Sequence, residues 1–316
     1  MKYAFIVNPA SGQGRHKNNL IPQIEELIER RPDKNIKIYY TCSEKDATPL
    51  ASRIAKEAND EVVIFACGGD GTIQEVANGI YGNENAILAT VPVGSGNDFV
   101  RALGGGMKKG KKFLNLESHL DANAKVIDLI KLTWQENGEK KEHIVVNGIN
   151  IGFDGYTAIT AHDYKKLPGV SGTGSYILAV GKNLIEKRGE DLKIVADDKE
   201  LHNGQLLLTT VGNGGFCGGG FESCPRADLS DGLLELLIVN DVSRAKFLKL
   251  IPKYKSGKIL GVSDEGGALY KYAQVKKVVF TPLKNETMQF VADGEICETG
   301  ELVVEVLPKA MNVICF

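Results

Sequence analysis

The residues best suited to chemistry in this chain are Gly68-Gly69-Asp70-Gly71-Thr72, small residues around one carboxylate. They follow the apolar run at 62–66 and precede Ile73, Val76, Ala77 and Ile80, which recur at helical spacing. Glycines leave no side chain between main chain and ligand, so successive N–H groups can converge on an anion, and a helix starting there adds its own free N–H groups. A carboxylate among such amides repels a phosphate unless it holds Mg²⁺ or a ribose or substrate hydroxyl. Asp70 is therefore the informative member. Thr72 reads as the cap of the following helix, with Glu75 completing the box. The alternative is a strand-to-helix turn whose glycines serve only tightness.

Two further turns sit in the same relative position. Asn8-Pro9-Ala10-Ser11-Gly12-Gln13-Gly14 follows an apolar strand at 3–7, with Arg15 and Lys17 in plausible reach of phosphates. Pro92-Val93-Gly94-Ser95-Gly96-Asn97-Asp98-Phe99 follows a strand at 86–91; Ser95 and Asn97 offer neutral hydrogen bonds, and Asp98 either orients a hydroxyl or metal water or, with Asn97, caps the next helix. Neither GxxxxGK[ST] nor GxGxxG occurs at these turns, so the two standard phosphate motifs do not apply. Asp293-Gly294-Glu295 closes a strand at 288–292 and offers one carboxylate as a base for a hydroxyl and another for Mg²⁺, or is simply a hairpin turn. Asp228 and Asp231 could bind a hard cation with carbonyl help, or face water as turn carboxylates. Cys217 and Cys224 have no second pair to complete a zinc site, and the five histidines form no spaced cluster.

Strands at 3–7, 36–40, 62–66 and 86–91 alternate with helices near 19–30, 47–58 and after residue 72, the pattern of a doubly wound, mostly parallel α/β sheet whose loops gather at one end. Composition changes after Gly104-Gly105-Gly106, and a boundary falls near 121–126, from where strands dominate: 124–132, 144–151, 192–195, 205–211, 233–239, 275–281, 288–292 and 302–307. This predicts a second, largely antiparallel β domain, and 316 residues exceed the size of a typical single core. Segments 175–187 and 244–258 are apolar and basic by turns, the pattern either of a helix attracted to anionic lipid or of one packed on a sheet. With 38 basic and 40 acidic residues the charge is −2, which gives no support for nucleic-acid binding. Six scattered cysteines suit free thiols in a reducing interior; residues 1–9 read as a strand and not an export segment, and no apolar stretch is long enough to span a bilayer.

These motifs, in this order, resemble the bacterial diacylglycerol kinase and related lipid kinase family: GGDGT at 68–72, Gly94-Ser95-Gly96-Asn97-Asp98-Phe99, Gly152-Phe153-Asp154, Asn213-Gly214, Gly218-Gly219-Gly220, Asp231-Gly232 and Asp293-Gly294-Glu295. The resemblance implies a two-domain fold like that of NAD kinases and diacylglycerol kinases. Its parts are an α/β nucleotide domain over residues 1–124, rejoined by about 297–316, and a β-sandwich-like lipid domain over 125–296, with ATP in the cleft between them. It implies nucleotide contacts from Asn8, Ser11, Gly12, Thr41, Gly68, Gly69, Asp70, Gly71, Thr72, Gly94, Ser95, Asn97 and Asp98, with Mg²⁺ at Asp70. Asp293 is then the general base for the lipid hydroxyl and Glu295 assists at the metal, while Asp231, with carbonyls near Asp228 and Leu233, forms a structural Mg²⁺ site. The implied reaction moves the ATP γ-phosphoryl group to diacylglycerol or a related lipid. The protein is expected in the cytoplasm, peripherally in contact with membrane lipid, with a homodimer possible. Gln13 and Leu229-Ser230 depart from the family pattern. The rival readings are a soluble kinase of NAD or a small hydroxyl compound, and a non-catalytic lipid or nucleotide sensor.

Overall fold

A computed structural model of the protein describes residues 1–11, 15–94, 96–104, 110–164, 172–186, 189–262 and 269–316. The chain forms two units, residues 1–129 with 308–316 and residues 130–307. In order, the elements begin β1 (Lys2–Val7), α1 (Arg15–Arg30), β2 (Asn35–Tyr40), α2 (Ala47–Lys56), β3 (Val62–Gly68), α3 (Asp70–Ile80), β4 (Ala86–Pro92), α4 (Asp98–Gly104), α5 (Leu116–Leu120) and β5 (Ala124–Glu136). There follow β6 (Glu139–Val145), β7 (Gly148–Gly152), α6 (Phe153–Tyr164), α7 (Gly172–Glu186), β8 (Glu190–Ala196), β9 (Lys199–Gly212), β10 (Leu234–Asn240) and α8 (Arg244–Lys255). The chain closes with β11 (Tyr270–Val275), β12 (Lys277–Pro282), β13 (Met288–Ala292), β14 (Glu295–Thr299) and β15 (Leu302–Ile314). Both dividing positions fall inside strands, β5 and β15.

In the first unit the near-continuous apolar runs of β1, β3 and β4 are buried almost throughout, the condition of parallel strands covered on both faces. They pair in parallel in the order β15-β4-β3-β1-β2, with Phe5 beside Phe65 and Val313 beside Leu88. The rings of Phe5 and Phe65 stack with centroids 4.0 Å apart, and Ile24 and Leu27 of α1 join the same cluster. From β1 the chain moves to β2 on one side and then to β3 and β4 on the other, so winding reverses between β1 and β3. Open α/β sheets bind ligands outside the carboxyl ends of strands at such a reversal.

In the second unit the sheet is antiparallel, in the order β14-β13-β7-β9-β8-β12-β15, and the long β9 also pairs with β10, which pairs with β11. Its alternating strands bury one apolar cluster containing Phe280 and Phe290, while Phe247, Leu250 and Tyr254 of α8 pack into another. The fold is therefore the α/β unit with a β-sandwich-like unit expected from the sequence. Two continuous strands expected from apolar content are broken. Residues 144–151 divide into β6 and β7 because the amides of Val146, Asn147 and Gly148 donate to the Asp293 carboxylate and not to a ladder. Residues 275–281 divide because Lys276 and Lys277 donate to Asp197. Residues 302–307 of β15 belong to the second unit, where they pair with β12. No disulfide joins the six cysteines, and no helix among the described residues is long and apolar enough to cross a membrane.

Candidate active site

Because β1 to β4 are parallel, the residues that follow them collect at one end of the sheet. Asn8 follows β1, Thr41 follows β2, Gly69 follows β3, and Gly94 follows β4. The turns are tied to one another. Asn8 N–H donates to the carbonyl of Cys67 at 3.2 Å, and its side-chain amide donates to the Thr72 hydroxyl at 3.2 Å. Thr41 N–H donates to the Val7 carbonyl at 3.1 Å. Thr72 does not cap α3 as its spacing suggested: the helix begins at Asp70, Gly69 is the cap position without a side-chain bond, and Thr72 lies within the first turn. Glu75 instead accepts the Ala47 N–H at 3.0 Å and anchors α2.

The glycines of two turns meet back to back. A Cβ on Gly94 would run into the Cα of Gly69, and one on Gly96 would lie 2.5 Å from Asp70 Oδ2. Around Gly71 a Cβ would meet nothing within 4 Å, so that corner is open. Asp70 reaches across this contact: its carboxylate accepts the Asn97 N–H at 2.7 Å and the Phe99 N–H at 3.4 Å. Burial, aided by the nearby Asp98 charge, pushes the Asp70 carboxyl up to about 6 against those amides. A second positive charge arriving there would be strongly favoured. Asp98 is 8% exposed, and the Arg101 guanidinium meets it at 2.6 Å while also donating to the Gly96 carbonyl. Asn97 takes the left-handed conformation (φ 57°) and donates to the Gly94 carbonyl at 2.9 Å; its buried Oδ1 finds no partner among the described residues. An orphaned buried oxygen in this turn fits a bound ligand. Mg²⁺ takes one or two carboxylates plus substrate phosphates and water, and Asp70 and Asp98 suit that limited set. Gly12, Gln13 and Ser95 lie outside the described residues, as do the side chains of Arg15 and Lys17. Ser11 closes a short turn by donating its N–H to the Asn8 carbonyl at 3.2 Å.

In the second unit Asp293 and Gly294 form a two-residue hairpin, with φ of 46° and 93° and Ala292 paired to Glu295. The Asp293 carboxylate, 8% exposed, accepts the N–H groups of Val146 (2.8 Å), Asn147 (3.1 Å) and Gly148 (2.8 Å). Asn147 in turn donates its side-chain amide to the Phe216 carbonyl, and its own carbonyl accepts the N–H groups of Asn213 and Gly214. Asp293 thus organises three loops. Glu295 differs: its side chain is 31% exposed, with His143 Nε2 4.0 Å from the carboxylate. Asp228 accepts the N–H and hydroxyl of Ser230, and Asp231 accepts the Leu233 N–H at 2.9 Å. Among the described residues no three His, Cys, Asp or Glu side chains gather as a metal set. The structural Mg²⁺ site expected here draws on Asp231 and on main-chain carbonyls near Asp228 and Leu233, and the bonds from Ser230 and Leu233 occupy only Oδ1 of each carboxylate.

Comparison with known proteins decides the family. Residues 2–132 match the model of the diacylglycerol kinase catalytic domain, and residues 147–315 match that of the YegS C-terminal NAD kinase beta sandwich-like domain. The chain belongs to the bacterial diacylglycerol kinase-like lipid kinase family. This lipid kinase family member is 31% identical over 297 residues to the diacylglycerol kinase of Bacillus subtilis (strain 168), covering 93% of this chain and 90% of that one. It is 29% identical over 313 residues to the diacylglycerol kinase of Mycobacterium tuberculosis (strain H37Rv), covering 99% and 94%. The crystal structure of a diacylglycerol kinase from Bacillus anthracis str. Sterne superposes with a TM-score of 0.68 at 23% identity, covering 100% of this chain and 97% of that one, a likeness of fold. Sequence reasoning about this kinase missed Arg101, although its position three residues after Asp98 on a helix is a recognisable pairing. It singles out Asp154 only as part of the Gly152-Phe153-Asp154 motif and gives it no role, whereas its carboxylate accepts the Tyr254 hydroxyl. Those two residues are 100 positions apart, a pairing no local pattern announces.

Proposed function

We propose that this kinase is ATP-dependent and transfers the γ-phosphoryl group to the hydroxyl of diacylglycerol or a related lipid, giving a phosphatidic acid-like product. The observation that carries the reading is the Asp70 carboxylate locking the glycine turn after β3 to the turn after β4 at the winding reversal of the sheet. Open glycine corners and helix N–H groups there suit the phosphates, and Asn97 Oδ1 suits a donor on the nucleotide. Asp70 and Asp98 would hold Mg²⁺, which when bound neutralises charge on the β- and γ-phosphate oxygens. In the transfer, the acceptor oxygen forms the new bond to phosphorus, the β–γ bridging bond breaks with its electron pair going to ADP, and the hydroxyl proton goes to a carboxylate.

We assign that proton to Glu295 and give Asp293 the positioning role. A base needs a free lone pair within reach of the proton. Asp293 has its oxygens directed at three backbone amides, whereas Glu295 is partly exposed on the adjoining strand. The second family model, named for an NAD kinase-like domain, supports a rival reading in which the acceptor is NAD.

The deciding experiment measures Mg²⁺-ATP turnover with diacylglycerol, sphingosine, ceramide and NAD in parallel, for wild type, Glu295→Gln and Asp293→Asn. Expected is lipid-dependent ADP release that Glu295→Gln lowers by roughly 10²–10⁴-fold. Turnover with NAD alone selects the rival, absence of acceptor-dependent turnover sinks the kinase reading, and a fully active Glu295→Gln sinks the base assignment. The same reading puts the enzyme in the cytoplasm, in peripheral contact with membrane.

A further inference from the structure

Packing accounts for only one side of α7 and α8. Phe247, Leu250 and Tyr254 of α8 are buried in an apolar cluster against which Val180 and Leu184 of α7 also pack. Helical spacing turns Ala245, Leu248, Lys249 and Pro252 to the opposite side of α8, and all are exposed. On α7, Leu178, Lys182 and Ile185 stand at i, i+4 and i+7 and share one exposed stripe. Leu178 is 53% exposed, Ile185 75% and Leu248 52%; Ile185 is the most exposed large apolar side chain among the described residues. The Arg244 guanidinium lashes the first turn of α8 to the last turn of α7 by donating to the carbonyls of Leu184 (3.0 Å) and Ile185 (2.7 Å). The outward apolar residues are therefore carried on two joined helix ends.

The charge around them has one dominant sign. α8 carries Arg244, Lys246, Lys249, Lys253 and Lys255 and no acidic residue. Lys246, Lys249 and Lys253 are exposed and make no ion pair among the described residues, while Lys182 lies 3.9 Å from Glu186. In a protein of net charge −2 this is a local positive patch. Protein interfaces are depleted of lysine at their centres, where lysine must lose its water. Apolar side chains interleaved with lysines suit a bilayer instead, where leucine and isoleucine enter the acyl boundary and the ammonium groups stay among anionic headgroups.

We propose that the outer faces of α7 and α8 are the surface by which this protein docks on an anionic lipid bilayer. Ile185 and Leu248 are the inserted anchors, and Lys246, Lys249 and Lys253 contact the headgroups. The inference deepens the lipid-kinase reading and rests on it for its purpose, but docking is measured without turnover.

The test is co-sedimentation of the full chain with vesicles of phosphatidylcholine, alone or mixed with phosphatidylglycerol. Binding is expected to the mixed vesicles only and to weaken as salt is raised. The double variant Ile185→Glu/Leu248→Glu is expected to lower the partition coefficient by about tenfold or more, and each Lys→Gln change at 246, 249 or 253 by about fivefold. Leu283→Glu, another exposed apolar site of the second unit, is the control expected to bind like wild type. Unchanged thermal unfolding midpoints show that the variants are folded. Wild-type binding by the double variant, equal binding to neutral vesicles, or an equal loss in the control overturns the proposal. A concentration-dependent dimer that the double variant abolishes, with no vesicle binding by wild type, assigns the surface to a second copy and also overturns it. Vesicle binding that responds to these variants without turnover of any lipid upholds the surface while the kinase reading fails; lipid turnover without such binding does the reverse.

Discussion

At the residue scale, two neighbouring carboxylates have opposite surroundings, and their substitutions should separate. Asp293→Asn replaces an acceptor of three amides with a group that points an NH₂ at one of them, so a loss of about 2–4 kcal/mol in urea unfolding is expected. Glu295→Gln removes only a partly exposed charge and should unfold within about 0.5 kcal/mol of wild type while losing turnover. Asp154 gives a pH signature of its own. Burial pushes its carboxyl from 3.8 up to about 6, partly opposed by the Tyr254 hydroxyl. The folded chain therefore keeps a proton that the unfolded chain has released, and stability falls as pH rises from about 4 to about 6, then levels. Asp154→Asn, whose amide oxygen still accepts from Tyr254, should match wild type near pH 4 and exceed it by roughly 1–3 kcal/mol at pH 8 in denaturant titrations. The sequence showed Asp293 at a turn because Asp-Gly favours positive φ, but its partners lie 145 to 147 positions away and leave no local trace.

At the element scale, the turns after β3 and β4 act as one piece. Gly96→Ala would bring a methyl to 2.5 Å from Asp70 Oδ2 and push that carboxylate off the Asn97 amide. Far from the cores, the change should leave circular dichroism and the unfolding midpoint close to wild type while weakening nucleotide binding by about tenfold or more in calorimetric titration. Unchanged binding would show that the two turns move independently. The strands carrying these turns were legible because strands buried on both faces need uninterrupted apolar side chains, as in β3. α6 was not, since its polar residues Thr157 and Thr160 face inward to the buried Asn183 amide and erase the apolar stripe that marks a surface helix. The breaks between β6 and β7 and between β11 and β12 were hidden for another reason: in each, a distant aspartate takes strand amides. The packed side of α8 was one of two readings that its pattern allowed, and Phe247, Leu250 and Tyr254 select it for that face.

At the scale of the whole molecule, the first unit is assembled from two separate pieces of chain. Residues 308–316 supply the parallel strand beside β4 and bury Met311, Val313 and Ile314. At about 1.5–3 kcal/mol for each such side chain, their removal costs an amount comparable with the whole stability of a domain. A chain ending at Leu307 should therefore keep a protease-resistant core from the second unit and lose the protection that the proposed binding of ATP would give to the first. Retained nucleotide protection in that shortened chain would contradict the estimate. The second unit, by contrast, is continuous from 130 to 307. On the ribosome, which releases a chain from its N-terminus, the second unit is complete in sequence before the first has its last strand. The first unit, begun before the second, must wait for it, with the edge of β4 open until residues 308–316 arrive. Closure of the α/β sheet is thus timed by the synthesis of residues 308–316, which comes after the whole of the second unit.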